Sequence, residues 1–144
     1  MSALVSNLCD EVTAILNATD FGVECTATKS YVPSLELKGA GETVYLTVAP
    51  QTTGYRRDSR SATGRPVEIG IGIQRRLPRE DPDTVVETML DVVERVATEL
   101  HGTRVAALSA VCISIQNDPI YAPDHMKDVR LFTSVLTTQW EAVQ

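Results

Sequence analysis

At 144 residues, with 43% hydrophobic and 22% charged content, the chain has the apolar material for one core without disulfide or metal staples. Its 13 basic and 19 acidic side chains leave a net charge of −6, which argues against general binding to nucleic acid or to an anionic membrane surface. No apolar run approaches the ~18 residues that span a bilayer, and the opening stretch MSALVSNLCDEV lacks the basic start and long apolar core of a signal peptide. The three cysteines, Cys9, Cys25 and Cys112, make neither a CxxC pair nor an even framework. They read as buried thiols in a protein folded in a reducing cytoplasm.

Residues 3–17 predict a first amphipathic helix, with Ser2 as its cap and Leu4, Leu8, Val12, Ile15 and Leu16 on one face. Thr19-Asp20-Phe21-Gly22 ends it. From Val23 to Leu37 the pattern turns strand-like, with Pro33 confining that strand to an edge or a bulge. Gly39-Ala40-Gly41 reads as a turn, and Val44, Leu46 and Val48 as the second arm of a hairpin closing at Pro50. Residues 51–65, QTTGYRRDSRSATGR, then break the periodicity. They predict a long mobile loop, polar and basic, with Tyr55 and with Arg56, Arg57, Arg60 and Arg65 against the single acid Asp58. Strand period returns in Val67, Ile69, Ile71 and Ile73, whose other face is Glu68, Gly70, Gly72 and Gln74.

The best-specified element follows, from Asp81 to Gly102. Asp81 can cap a helix, Pro82 suits its first position, and Asp83 complements its dipole. Val86, Met89, Leu90, Val93, Val96, Ala97 and Leu100 make one stripe, and Gly102 supplies a left-handed terminus. Val111, Ile113 and Ile115 alternate against Cys112, Ser114 and Gln116 in another strand. Residues 123–128 suggest a short helical turn. Leu131 to Val143 predict a last strand with Phe132, Leu136 and Trp140 on one face. Together these predict an α+β fold: a mixed, mostly antiparallel sheet of four to five strands with two helices packed on one face. The third strand, the long helix and the strand after it resemble a crossover. The opposite sheet face is small and polar, carrying Tyr45, Thr47, Glu68, Gly70, Gly72, Gln74, Ser114, Gln116, Thr133 and Thr137.

No catalytic signature stands out. Glu87, Asp91 and Glu94 share one side of the long helix, but no His joins them to suggest a metal, and a solvated face accounts for them. His101 falls where a cation meets the helix dipole favourably. His125 and Cys112 each lack a local partner for nucleophilic chemistry. Gly70 and Gly72 lie mid-strand with no GK[ST] after them, so they are not a phosphate loop; close approach of backbone or of a neighbouring chain explains them. The arginine-rich loop, with Tyr55, Arg56, Arg57, Arg60 and Arg65, is the strongest contact candidate, suited to carboxylates or phosphate. A nucleic-acid-binding module built on it would lack stacking aromatics beyond Tyr55. These readings favour an interaction protein over an enzyme, with no cofactor and no metal.

The stretches SYVPSLELKGAGETVYLTVAP, VEIGIGIQRRL and DPIYAPDHMKDVRLFTSVLTTQW resemble small tail-completion proteins of long-tailed bacteriophages, most distinctively in PIY-x-PDH at 119–125 and FTSVLT at 132–137. The resemblance implies a tail terminator: a virion protein, assembled in the host cytoplasm, forming a usually hexameric ring on the head-proximal end of the tail tube. Such a ring ends tube polymerisation and meets the head connector. It implies a tail tube protein and a head-closure protein as partners, and DNA only as cargo through the channel. Glu87, Asp91 and Glu94 are candidates for the channel wall, where like charge would keep DNA from sticking. A head-closure or neck connector role is the neighbouring alternative.

Overall fold

Val67, Ile69, Ile71 and Ile73 recur at every second position, so they share one face of a strand and need a core on that side. The computed structural model describes residues 3–30, 43–54, 56–57, 63–118, 120–121, 123–128 and 130–143. Its elements run α1 (Leu4–Ala18), β1 (Cys25–Lys29), β2 (Val44–Thr53), β3 (Arg56–Arg57), β4 (Thr63–Arg76), α2 (Pro82–Leu100), β5 (Arg104–Val105), β6 (Ala110–Asn117), α3 (Pro123–Asp128) and β7 (Leu131–Val143), with a 3-10 turn at Ala106–Leu108. The strands form a seven-stranded sheet ordered β1-β2-β4-β7-β6-β5, with β3 paired to β4 off this path.

The α+β class and the mixed sheet agree with the sequence reading, but the described residues form seven strands rather than four or five. The expected hairpin is the main topological correction. β1 and β2 run parallel, Cys25 opposite Val44 and Lys29 opposite Val48, and a parallel pair needs a crossover rather than a tight turn. Pro33, Leu35, Leu37 and the turn at 39–41 lie outside the described residues. The remaining pairs are antiparallel. β4 and β6 therefore run parallel to each other, joined through α2, with β7 inserted between them. The crossover reading of this segment is correct in sense and incomplete in neighbours.

The second correction concerns residues 51–65. Gln51 to Thr53 continue β2, Arg56 and Arg57 form β3, and Thr63 to Arg65 begin β4. Backbone pairing, not hydrophobic period, extends these strands: Thr53 faces Val67, Arg56 faces Gly64 and Arg57 faces Thr63. Tyr55 and residues 58–62, Arg60 among them, lie outside the described residues.

One core joins both helices to the sheet. Leu8, Cys9, Val12 and Leu16 of α1, and Met89, Val92, Val93, Val96 and Leu100 of α2, are buried with the odd residues 67–73 of β4. Burying the α2 set contributes on the order of 10 kcal/mol before entropy, as an upper bound. Val92 was missed by the predicted stripe, while Val86, Leu90 and Ala97 pack at its margin. Phe132, Leu136 and Trp140 of β7 are fully buried on the same face, as the alternation predicts.

β6 departs from its predicted alternation. A bulge between Cys112 and Ser114 shifts the register, so Cys112 is buried opposite Trp140, Ile115 faces the core margin, and Ile113 is left 51% exposed.

The helix ends also differ from expectation. Ala3, not Ser2, is the N-cap of α1 and makes no side-chain cap bond. Asp81 adopts a left-handed conformation (φ 51°), and its carboxylate accepts from the Thr84 hydroxyl at 2.8 Å instead of from a backbone N–H. Gly102 is left-handed as expected (φ 76°), and its N–H donates to the Cys112 carbonyl at 3.0 Å. His101 is the exposed C-cap.

Two polar devices lock the assembly of layers. Trp140 Nε1 donates to Thr138 Oγ1 at 2.8 Å, and Thr138 Oγ1 donates to the Ile69 carbonyl at 2.9 Å. This relay satisfies a buried indole N–H across the β4–β7 pair. At the edge, the Asn17 side chain makes two bonds to Ala27, accepting from its N–H at 2.9 Å and donating to its carbonyl at 3.0 Å. Lys29 adds an ion pair to Asp10 at 2.7 Å. α1 thereby covers the outer edge of β1, the position where an open strand invites foreign pairing.

Thr138→Val keeps the shape of the relay but leaves the Trp140 N–H buried without its acceptor. It should cost about 1–3 kcal/mol in urea unfolding at unchanged m-value. A loss under ~0.3 kcal/mol would show the relay to be dispensable.

Candidate subunit-contact surface

The sheet face away from the helices is assembled as its sequence suggests. Across β2, β4 and β7, Tyr45, Gln74 and Thr133 form one row, Thr47, Gly72 and Val135 the next, and Ala49, Gly70 and Thr137 a third. Gln116 of β6 extends that last row. Gln74 Nε2 reaches Thr133 Oγ1 at 3.5 Å, and both side chains are buried although they sit on the polar face.

The two glycines of this face differ in kind. Gln51, the extra residue at the β2 register shift, lays its side chain over Gly70, and a Cβ there would collide with its carboxamide. A Cβ on Gly72 would meet only Thr47 Cβ, at an ordinary 3.9 Å. Gly70 thus serves close packing within the chain, while Gly72 keeps a shallow spot open for no internal reason.

Of the predicted contact arginines, Arg56 and Arg57 stand in β3, and Arg65, half-buried in β4, sends Nη2 to within 3.5 Å of Thr53 Oγ1. The arm joining β2 to β4 is therefore a ribbon of paired strands over its described length. Glu87, Asp91 and Glu94 are all exposed on one line of α2, three to four residues apart. That line continues through Thr98 to His101. The Arg95–Glu99 ion pair (3.0 Å) lies beside it. The structure does not bring the arginine arm and this acidic line together within one chain: the arm borders the Gly64 end of β4, and α2 packs over the core face of the sheet.

One feature escaped the sequence reading. Among the described residues, β5 pairs with β6 only at Ala110 and Val111, so no strand flanks β6 from Ile113 onward. Beside this open edge lies a groove lined by Ala97, Thr98, His101, Ile115, Asn117 and Leu136. The exposed Ile113 was the available signal, hidden by the assumption of unbroken alternation.

Cys9 and Cys112 are buried and Cys25 is half-buried, all as free thiols. Burial pushes each of the three up to about 11, away from the thiolate needed for nucleophilic work. His125 lies in α3, in a different element from Cys112. Among the described residues, no group of three His, Cys, Asp or Glu side chains is placed to hold a metal ion. No helix is long and apolar enough to cross a membrane.

No family model matches this chain, and no curated protein matches it. Solved structures do. A chain described as "virion of native gene transfer agent (GTA) particle" superposes with a TM-score of 0.63 at 14% identity, covering 99% of this chain and 100% of that one. At that identity the likeness is one of fold, and it runs end to end.

The thiols give a pH test. Their folded pKa lies above the ordinary value, so ionisation favours the unfolded chain once pH passes about 9. Their contribution is intact below that value and lost as pH rises toward about 11. Cys9→Ala/Cys112→Ala should flatten the fall in melting temperature over that window. Parallel curves for variant and wild type would overturn the assignment.

Proposed function

We propose that this chain is a structural subunit of a phage-type virion, acting as a tail terminator. The observation that carries the reading is the end-to-end fold match to a chain of a gene transfer agent virion particle. The PIY-x-PDH and FTSVLT segments support the same reading: the first spans the entry to α3, and the second lies in β7 at the centre of the sheet. In this role the subunits close into a ring, usually of six, on the head-proximal end of the tail tube. The ring stops tube growth and presents a surface to a head-closure protein. DNA passes through as cargo, and the net charge of −6 favours passage without adhesion.

This function requires shape and contacts rather than chemistry, so the protein is no enzyme and uses no cofactor. Cys112 packs against the core. Assembly takes place in the host cytoplasm, and the finished protein resides in the virion neck.

Electron microscopy of the purified protein, alone and mixed with tail tubes lacking it, tests the reading. The expected result is a ring at one tube end and tubes held at native length. A strict monomer both in light scattering and on tubes would overturn it. A ring that binds the head connector but leaves tube length unregulated would assign the head-closure role instead.

A further inference from the structure

We infer that the open edge of β6 and the groove beside α2 receive the arginine-bearing arm of a second copy of this chain, in a head-to-tail contact. The inference rests on the ring reading above and adds which surfaces meet. Three observations carry it.

The first is an asymmetry between the sheet's edges. β1 is covered by α1 of its own chain, through the Asn17 side chain bonded to Ala27 and through Asp10 paired with Lys29. β6 is held only as far as Cys112, which accepts from the Gly102 N–H and donates to the Thr103 carbonyl; beyond it no described strand flanks β6, and Ile113 stands exposed. Asp118 N–H donates to the Val135 carbonyl of β7, so strand alternation turns the Ile115 N–H outward. An edge of this kind accepts an extended segment by main-chain pairing.

The second is charge. The exposed line Glu87, Asp91, Glu94 runs along α2 and leads into the groove wall at Thr98 and His101. The groove lining itself carries no carboxylate, but Glu94 stands one helical turn before Thr98, so a basic segment reaching from the groove along α2 meets opposite charge. β3 is extended, pairs with β4 and with no other strand among the described residues, and carries Arg56 and Arg57. Guanidinium groups meet carboxylates in paired bonds.

The third is distance. The arm borders Gly64, whereas Asn117 at the groove pairs with Leu136, which pairs with Ile71. Seven residues of β4 separate the two levels, roughly 23 Å at ~3.3 Å per residue. A chain therefore cannot fill its own groove with β3. Donor and acceptor surfaces that are distinct and this far apart on one subunit make a heterologous contact, which closes into a ring when the rotation allows.

The test begins with two full-length charge-reversal variants. One carries Arg56→Glu and Arg57→Glu; the other carries Glu87→Arg, Asp91→Arg and Glu94→Arg. Each alone should repel its own kind, weakening self-association by about tenfold or more at low salt. An equimolar mixture should recover assembly, because each reversed arm then meets a reversed helix and each native arm a native one. Ile113→Lys, placed at an exposed site, should leave the melting temperature unchanged and block assembly by blunting the edge. Light scattering and electron microscopy read all four samples. If wild type forms rings while the reversals assemble alone, or the mixture fails to recover, this contact is wrong and the ring stands. If wild type neither self-associates nor caps tubes, both readings fall.

Discussion

The antiparallel ladder between β4 and β7 is the constraint on which the rest of the molecule depends. It runs unbroken from Gly64 opposite Val143 to Arg76 opposite Leu131. Because side chains alternate, a one-residue slip would turn Ile69, Ile71 and Ile73 away from the helices and Glu68 and Gln74 into the core. The Trp140–Thr138–Ile69 relay permits only the observed register, since Thr138 must lie opposite Ile69 to donate to its carbonyl. Everything else attaches to this pair. β2, with β1 and α1, docks on the free side of β4. β6 docks on the free side of β7, and α2 spans the crossover between them.

Much of this was legible because burial imposes period. The long helix, the isoleucine strand and the aromatic face of β7 each announce themselves through residues that must point one way. Features governed by backbone pairing were silent. Gln51, Thr52 and Thr53 carry no apolar signal, yet they continue β2 because Val67 and Glu68 offer a ladder to extend. The hairpin expected between residues 23 and 50 failed for a related reason: alternation says that two strands exist, not which way they run relative to each other. At Asp81 a capping residue followed by proline looked like a side-chain cap. The chain takes a left-handed turn there instead, and the carboxylate meets Thr84. Of the predicted contact set, Gly72, Arg65 and the three α2 acids lie open or half-open on the surface. Gly70 is spent on Gln51, and Tyr55 and Arg60 lie outside the described residues.

The surfaces of the molecule divide by chemistry. One sheet face is closed by helices and thiols that burial keeps protonated. The other is polar, with few charges among the described residues. Among the described residues the edges and flanks are differentiated: one edge guarded, one open beyond Cys112, one end carrying Arg56 and Arg57, one flank acidic. Such polarity fits the assembling subunit proposed above.

The insertion of β7 between β4 and β6 also governs how the protein is born. Of the seven strands, the one at the centre leaves the ribosome last, some 65 positions after the partner it must find, as Ile71 and Leu136 illustrate. Until it arrives, β4 and β6 expose unpaired edges on either side of a vacant slot, and the buried faces of both helices lack their floor. Pairing over so long a loop is slow. A chain truncated before Leu131 would therefore hold two separate pieces of sheet, β1-β2-β4 and β6-β5, with nothing to join them. Interrupted translation then leaves both pieces with exposed apolar faces and unpaired edges, open to proteolysis.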